Sequence, residues 1–156
     1  MDNIKKILVD SNIFIFANIK EYPEYPVAKS KIKELIKTHK LLVNTIIISE
    51  IQYKLFRLLD QEESYNRTLK ILNSKHVGYE SITQSTILKA LELSHYSNIR
   101  INDAIIAQNA LDLDVEVFTD NIKDFRKISN LKNNSAKIDK IKSKPDSCDR
   151  RRTARN

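Results

Sequence analysis

Ile4-Lys5-Lys6-Ile7-Leu8-Val9-Asp10-Ser11-Asn12-Ile13 is the stretch that decides the fold class. Its apolar run Ile7, Leu8 and Val9 does not alternate with polar residues. That is the pattern of a strand buried on both faces, and such strands belong to parallel sheets covered by helices. The run ends at Asp10, after which Ser11 and Asn12 are good caps for a helix beginning Ile13-Phe14-Ile15-Phe16. Open parallel sheets place their sites at the carboxyl ends of strands, so Asp10 is the first candidate functional residue.

Working outward, Glu21 to Pro26 is a break with two prolines and two tyrosines. A helix is predicted from Val27 to His39, with Ala28, Ile32, Leu35 and Ile36 on one face. Leu41 to Val43 reads as a second short strand. Asn44 or Thr45 then caps a helix through Ile46, Ile47, Ile48, Glu50, Ile51, Leu55, Phe56, Leu58 and Leu59, apolar on most sides and expected to be largely buried. Further helical patterns run from Glu62 to Leu72, from Gln84 to His95 behind a Thr83 cap, and from Asn102 to Leu111. Val115 to Phe118 is a third strand, followed by a turn at Thr119-Asp120-Asn121 and a brief helix around Asp124 to Ile128. Strands separated by helices predict an α/β sandwich on a short, mainly parallel sheet.

The chain has 156 residues, the size of one domain. Residues 1–132 form the expected folded unit, and 133–156 a basic, flexible tail. No apolar run approaches the length of a membrane span, and no signal-peptide pattern opens the chain, so a cytoplasmic protein is expected. The single cysteine, Cys148, has no partner at metal-ligand spacing, which argues against a zinc site. Gly78 is the only glycine, which excludes the P-loop and the dinucleotide fingerprint, both of which need several. The net charge of +7 invites a nucleic-acid reading, but Lys137 to Asn156 carry +5 of it and the other 136 residues only +2. Basicity therefore belongs mostly to the tail and specifies no particular polyanion.

The acids are more informative. Asp10 and Asp120 fall at strand ends. Glu50 interrupts an apolar helix, where a bare carboxylate is costly to bury. Asp103 opens the apolar helix Ile101-Asn102-Asp103-Ala104-Ile105-Ile106-Ala107. Taken singly, each has an ordinary role: Asp10 a helix cap, Glu50 an ion-pair partner, Asp103 a first-turn carboxylate favoured by the helix dipole, and Asp120 or Asp124 a turn residue. Taken together, carboxylates converging on one cleft repel one another unless protons or a cation hold them. A hard divalent cation with oxygen ligands suits such a set, and with phosphodiesters it supports hydrolysis. His39, His76 and His95 lie in or beside helices without a nucleophile motif, so Ser/His/Asp or Cys/His catalysis is disfavoured.

Four motifs in series, Leu8-Val9-Asp10-Ser11-Asn12-Ile13, Ser49-Glu50, Ile101 to Ala107 and Thr119-Asp120-Asn121-Ile122-Lys123-Asp124-Phe125, resemble the PIN-domain ribonucleases in order and spacing. The match spans Lys5 to Ile128 and is most similar to the VapC-like toxins of toxin–antitoxin pairs. The resemblance implies a three-layer PIN-like sandwich and a Mg²⁺ site, with Mn²⁺ as substitute, formed by Asp10, Glu50, Asp103 and a fourth acid. Asp124 is preferred for that place, with Asp120 as substitute, because the position two residues after Thr119 is Asn121. Ser11, Asn12, Thr119 and Asn121 are the implied polar support. An RNA substrate, a cognate antitoxin and a homodimer are implied as well, with Ile13 to Pro26 and the helix Ile46 to Leu59 as candidate contact segments. Two alternatives stand beside this reading. One is a non-catalytic RNA- or protein-binding module, motivated by Asn121. The other is a phosphatase with an Asp10 nucleophile, which commonly wants a second acid where this chain has Asn12.

Overall fold

A computed structural model describes residues 3–131 of the chain. The elements run β1 Lys5–Val9, α1 Ser11–Phe16, α2 Tyr25–Leu35, β2 His39–Asn44, α3 Thr45–Leu58, α4 Gln61–Leu72, β3 Val77–Glu80, α5 Gln84–Ser97, α6 Ile101–Leu113, β4 Glu116–Phe118 and α7 Ile122–Phe125. All strand pairings are parallel, in the order β3-β2-β1-β4. The expected α/β class with a helix-flanked parallel sheet is the observed one. The basic tail predicted over 133–156 lies outside the described residues.

Ile7, Leu8 and Val9 of β1 and Leu41, Leu42 and Val43 of β2 are all buried, consecutive residues pointing to opposite faces. Both faces of the sheet must therefore be covered, as the unbroken apolar runs demand. Ile13, Ile47, Ile51, Leu55, Ile106 and Phe125 close over the sheet from α1, α3, α6 and α7. The register that pairs Val9 with Phe118 brings the chain after β1 beside the chain after β4. This is where the first and last acid motifs meet.

Several local expectations change. Asp10, not Ser11 or Asn12, is the N-cap of α1, its side chain accepting from Ser11 N. The second helix begins earlier than expected, with proline at its start, and ends at Leu35, so His39 opens β2 instead of closing a helix. Asn44 is the cap of α3. That helix is not buried on most sides: Ile47, Ile51 and Leu55 face the core, while Tyr53, Phe56 and Leu58 are exposed. Strand β3 was not predicted at all. It is four residues long at the sheet edge, and a Cβ on Gly78 would meet Leu42 Cδ2 at 3.1 Å, so the glycine admits close approach to β2. In a chain so poor in glycine, Asn98 and Asp114 take the left-handed conformation that ends α5 and α6, with φ of 51° and 52°.

Candidate active site

The site is built where β1, β4, α3 and α6 converge. Asp10 is 2% exposed, and its backbone N donates to Phe118 O at 2.9 Å, which locks the end of β1 to β4. Its Oδ1 accepts from Ser11 N at 2.8 Å, and its Oδ2 accepts from Thr119 Oγ1 at 2.7 Å. Ser11 Oγ donates to Glu50 Oε2 at 2.6 Å and stands 3.4 Å from Asp10 Oδ1, linking the first two acids. On the other side, Asn121 Nδ2 lies 3.3 Å from Asp103 Oδ2 and 3.1 Å from Asp124 Oδ2. Thr119 Oγ1 also accepts from Asn121 N at 2.9 Å, so one hydroxyl joins the two halves.

The supports extend into the core. Asn44 Oδ1 accepts from Ile47 N at 3.0 Å to cap α3, six residues before Glu50. Its Nδ2 donates to Asn109 Oδ1 at 2.9 Å, six residues after Asp103 on α6. Both asparagines are buried. The two acid-bearing helices are thus tied by a polar bond in an apolar surrounding, where its geometry is strongly enforced.

The electrostatics show carboxylates in competition. Burial first, and then repulsion by Asp103 and Glu50, pushes the Asp10 carboxyl up from an ordinary 3.8 to about 6, against the hydrogen bonds from Thr119 and Ser11. Asp103 is likewise raised by burial, and Glu50 and Asp124 repel it while Arg100 opposes the shift. Asp124 is held below its ordinary value, chiefly by the hydrogen bond from Asn121 and then by the Lys127 and Arg100 charges. Two buried carboxylates whose charged forms are disfavoured by burial and by neighbouring acids are groups that a cation would relieve.

Of the residues singled out in sequence, the fold brings Asp10, Ser11, Glu50, Asp103, Thr119, Asn121 and Asp124 into one hydrogen-bonded cluster. Asn12, half-buried in α1, makes no side-chain hydrogen bond to it among the described residues. Asp120 is buried beside Thr119, but the carboxylate that shares the Asn121 amide with Asp103 is that of Asp124. Among the described residues, no three carboxylate, histidine or cysteine side chains are gathered tightly enough to hold a metal ion as they stand. In kind, the donors fit a hard cation: all are carboxylate oxygens, two of them with raised proton affinity.

Sequence reasoning missed Arg100, whose Nε stands 3.3 Å from Asp103 Oδ2, and Lys127, whose Nζ stands 3.6 Å from Asp124 Oδ1. Both pairs are at i,i+3, a spacing that was available as a signal. It also missed Asn44 and Asn109 as a pair, for which no local pattern exists.

The family model described as PIN domain matches residues 7–131. Among solved structures, VapBC2 from Rickettsia felis, solved bound to a promoter DNA fragment, is similar with a TM-score of 0.65 and 22% identity, over 82% of this chain and 96% of that one. VapC20 from Mycobacterium tuberculosis, described as a sarcin-ricin loop cleaving toxin, matches with a TM-score of 0.63 and 17% identity, over 70% of this chain and 85% of that one. VapBC-1 from nontypeable Haemophilus influenzae matches with a TM-score of 0.63 and 21% identity, over 82% and 96% respectively. At such identities the likeness establishes the fold. No curated protein sequence matches the chain.

Proposed function

The chain belongs to the PIN domain family, and from that premise we propose that it is a Mg²⁺-dependent endoribonuclease, the toxin of a toxin–antitoxin pair. The observation that carries the reading is the network running from Glu50 through Ser11, Asp10, Thr119 and Asn121 to Asp103 and Asp124. It draws four carboxylates from distant parts of the chain to the end of one sheet. Asn121, which motivated the non-catalytic alternative, works within this network: it donates to the third and fourth acids and replaces neither.

In the proposed mechanism, Asp10, Glu50, Asp103 and Asp124 would hold Mg²⁺ or Mn²⁺. Such a cation would supply charge neutralisation at the phosphodiester and lower the pKa of a water. Thr119 and Ser11 fix the two oxygens of Asp10 in direction, and Asn121 does the same for Asp103 and Asp124. We assign to Glu50, half-buried and held by Ser11 Oγ, the role of accepting a proton from attacking water. RNA as substrate is supported by the solved relative described as cleaving the sarcin-ricin loop.

An antitoxin partner is supported by the VapBC relatives and by a groove of about 920 Å³ between α1, α2 and α4. Its lining combines apolar Phe14, Ile32, Ile36 and Ile71 with Lys20, Lys29, Lys33 and Lys70, and with Arg67, which is paired with Glu63. Lys29, Lys20 and Lys33 also hold the Tyr25 phenol below its ordinary value, the Lys29 hydrogen bond foremost. An acidic, amphipathic segment suits this surface. Of the two segments expected to make such contacts, only the stretch around Phe14 to Tyr25 lines the groove; α3 does not. A homodimer is proposed through the exposed apolar side chains of α3 or α5, such as Phe56 or Leu91, and size-exclusion chromatography tests it. No helix among the described residues is long and apolar enough to cross a membrane; a cytoplasmic location is part of the proposal and is supported by the VapBC relatives.

The central test is cleavage of RNA by the pure protein in Mg²⁺ or Mn²⁺. Activity should vanish in chelator and fall by at least two orders of magnitude in Asp10→Asn with Asp103→Asn. Equal activity in chelator would refute the reading.

A further inference from the structure

Arg100 is poorly explained by helix chemistry. It occupies the N-cap of α6 without making a side-chain cap bond. Ser, Thr, Asp or Asn would satisfy an orphan amide at that position, and the positive end of the helix dipole disfavours a cation there. Its side chain is 79% exposed, yet its Nε stands 3.3 Å from Oδ2 of Asp103, whose side chain is 5% exposed. The pair gives the buried Asp103 carboxylate a counter-ion, but that role engages one N–H of an otherwise exposed side chain and does not by itself call for the arginine fork. A guanidinium carries five N–H donors in a planar fork that matches phosphate, and here a single one is used on protein. The rest face solvent at the mouth of the acidic cluster.

The cluster itself poses the problem that Arg100 answers. Four carboxylates repel a polyanionic backbone, and the folded part of the chain carries little net positive charge to offset them. Lys127, the other cation at this lip, is less exposed, its side chain at 39% against 79% for Arg100, and its Nζ stands 3.6 Å from Asp124 Oδ1 and 3.4 Å from Asn98 O. Of the two, Arg100 presents the more open donors beside the acids, with one N–H of five engaged.

We propose that Arg100 is a substrate-contacting residue that grips a phosphate of the bound RNA at the mouth of the acidic cluster, its guanidinium lying between that phosphate and Asp103. The assignment rests on the ribonuclease reading above. In the free protein the guanidinium rests on Asp103, and on binding its unused N–H groups engage the phosphate oxygens.

The test uses the full chain carrying Asp10→Asn, so that RNA stays intact, and the fluorescence anisotropy of a labelled RNA hairpin over a salt series. Adding Arg100→Ala should weaken binding about tenfold or more and reduce the slope of log affinity against log salt by about 0.7–0.9, the signature of one lost phosphate contact. Arg100→Lys should restore the slope while recovering only part of the affinity, because a point charge lacks the fork. Lys127→Ala should have a smaller effect than Arg100→Ala. Calorimetric titration of Mn²⁺ into otherwise wild-type protein and its Arg100→Ala variant should show metal affinity unchanged or higher in the variant, since a competitor for Asp103 is gone. Unchanged RNA affinity and salt slope in Arg100→Ala would overturn the proposal and leave Arg100 as a counter-ion for Asp103. Absence of cleavage by the wild-type protein with either metal would overturn the nuclease reading and this assignment together, a result distinct from the Arg100 comparison.

Discussion

Replacing Asp10 by asparagine should stabilise the metal-free protein at neutral pH, although it removes a helix cap. The folded protein holds the Asp10 carboxyl at about 6, above its ordinary 3.8. The native state therefore binds the proton more tightly than the unfolded chain does. Stability from this group is fully present below 3.8 and is lost as the pH rises through 6. Above that window the ionised Asp10 costs about 3 kcal/mol relative to its protonated form, at 1.36 kcal/mol per tenfold change in proton affinity. Asparagine is neutral, caps a helix as well as aspartate, and keeps an acceptor for Ser11 N. It cannot also accept from Thr119 Oγ1, which costs about 1 kcal/mol. The net gain is about 2 kcal/mol, roughly 5–10 °C in Tm for a domain of this size. Thermal melts in EDTA between about pH 4 and about pH 8 should show the two proteins converging or crossing at the acid end and the variant ahead at the neutral end. Added Mn²⁺ should raise the wild-type Tm and leave the variant nearly unmoved, because only a native site that binds metal gains from mass action. A variant less stable than wild type at every pH in EDTA would refute the reasoning and make Asp10 primarily a structural cap.

Other consequences follow from the supports of the acids. Thr119→Val removes the donor to Asp10 and the acceptor of Asn121 N. It should cost about 1–3 kcal/mol in urea denaturation and weaken Mn²⁺ binding measured by calorimetry. Asn109→Ala leaves the buried Asn44 amide without its partner and should destabilise by a similar 1–3 kcal/mol. If the Asn44–Asn109 bond also sets the spacing of α3 and α6, its turnover of RNA should fall by more than its melting curve explains. Lys29→Glu with Lys33→Glu reverses charge at the groove away from the acids. Co-expression with the proposed antitoxin should then give a weaker complex, while RNA cleavage by the isolated protein stays near wild type.

Much of the fold was legible because it rests on local signals. The unbroken Ile7-Leu8-Val9 run requires two covered faces, and the caps Asn44 and Thr83 start helices where their side chains reach the first free amides. Other elements were not legible. Strand β3 is short, half-exposed and built around Gly78, and it is held by hydrogen bonds to β2 that no periodicity announces. The overestimated burial of α3 has a related cause: its apolar residues are spread around the helix, and only packing decides that the Ile47, Ile51 and Leu55 side faces the core while Tyr53 and Phe56 face outward.

The site divides in the same way. By itself, the sequence determined which acids were candidates and in what order they occur, because a carboxylate at a strand end or within an apolar helix is locally conspicuous. The tertiary structure decided their relations. The order β3-β2-β1-β4 sets Asp10 beside Thr119, the Thr119 and Asn121 bonds bring in Asp124, and the Asn44–Asn109 bond ties α3 to α6. Arg100 shows the division most clearly. In sequence it is one of 27 basic residues, and only its placement against a buried carboxylate distinguishes it from a solvated surface charge. Strand order and side-chain convergence depend on contacts between residues far apart in the chain, and their energies leave no mark on any local pattern.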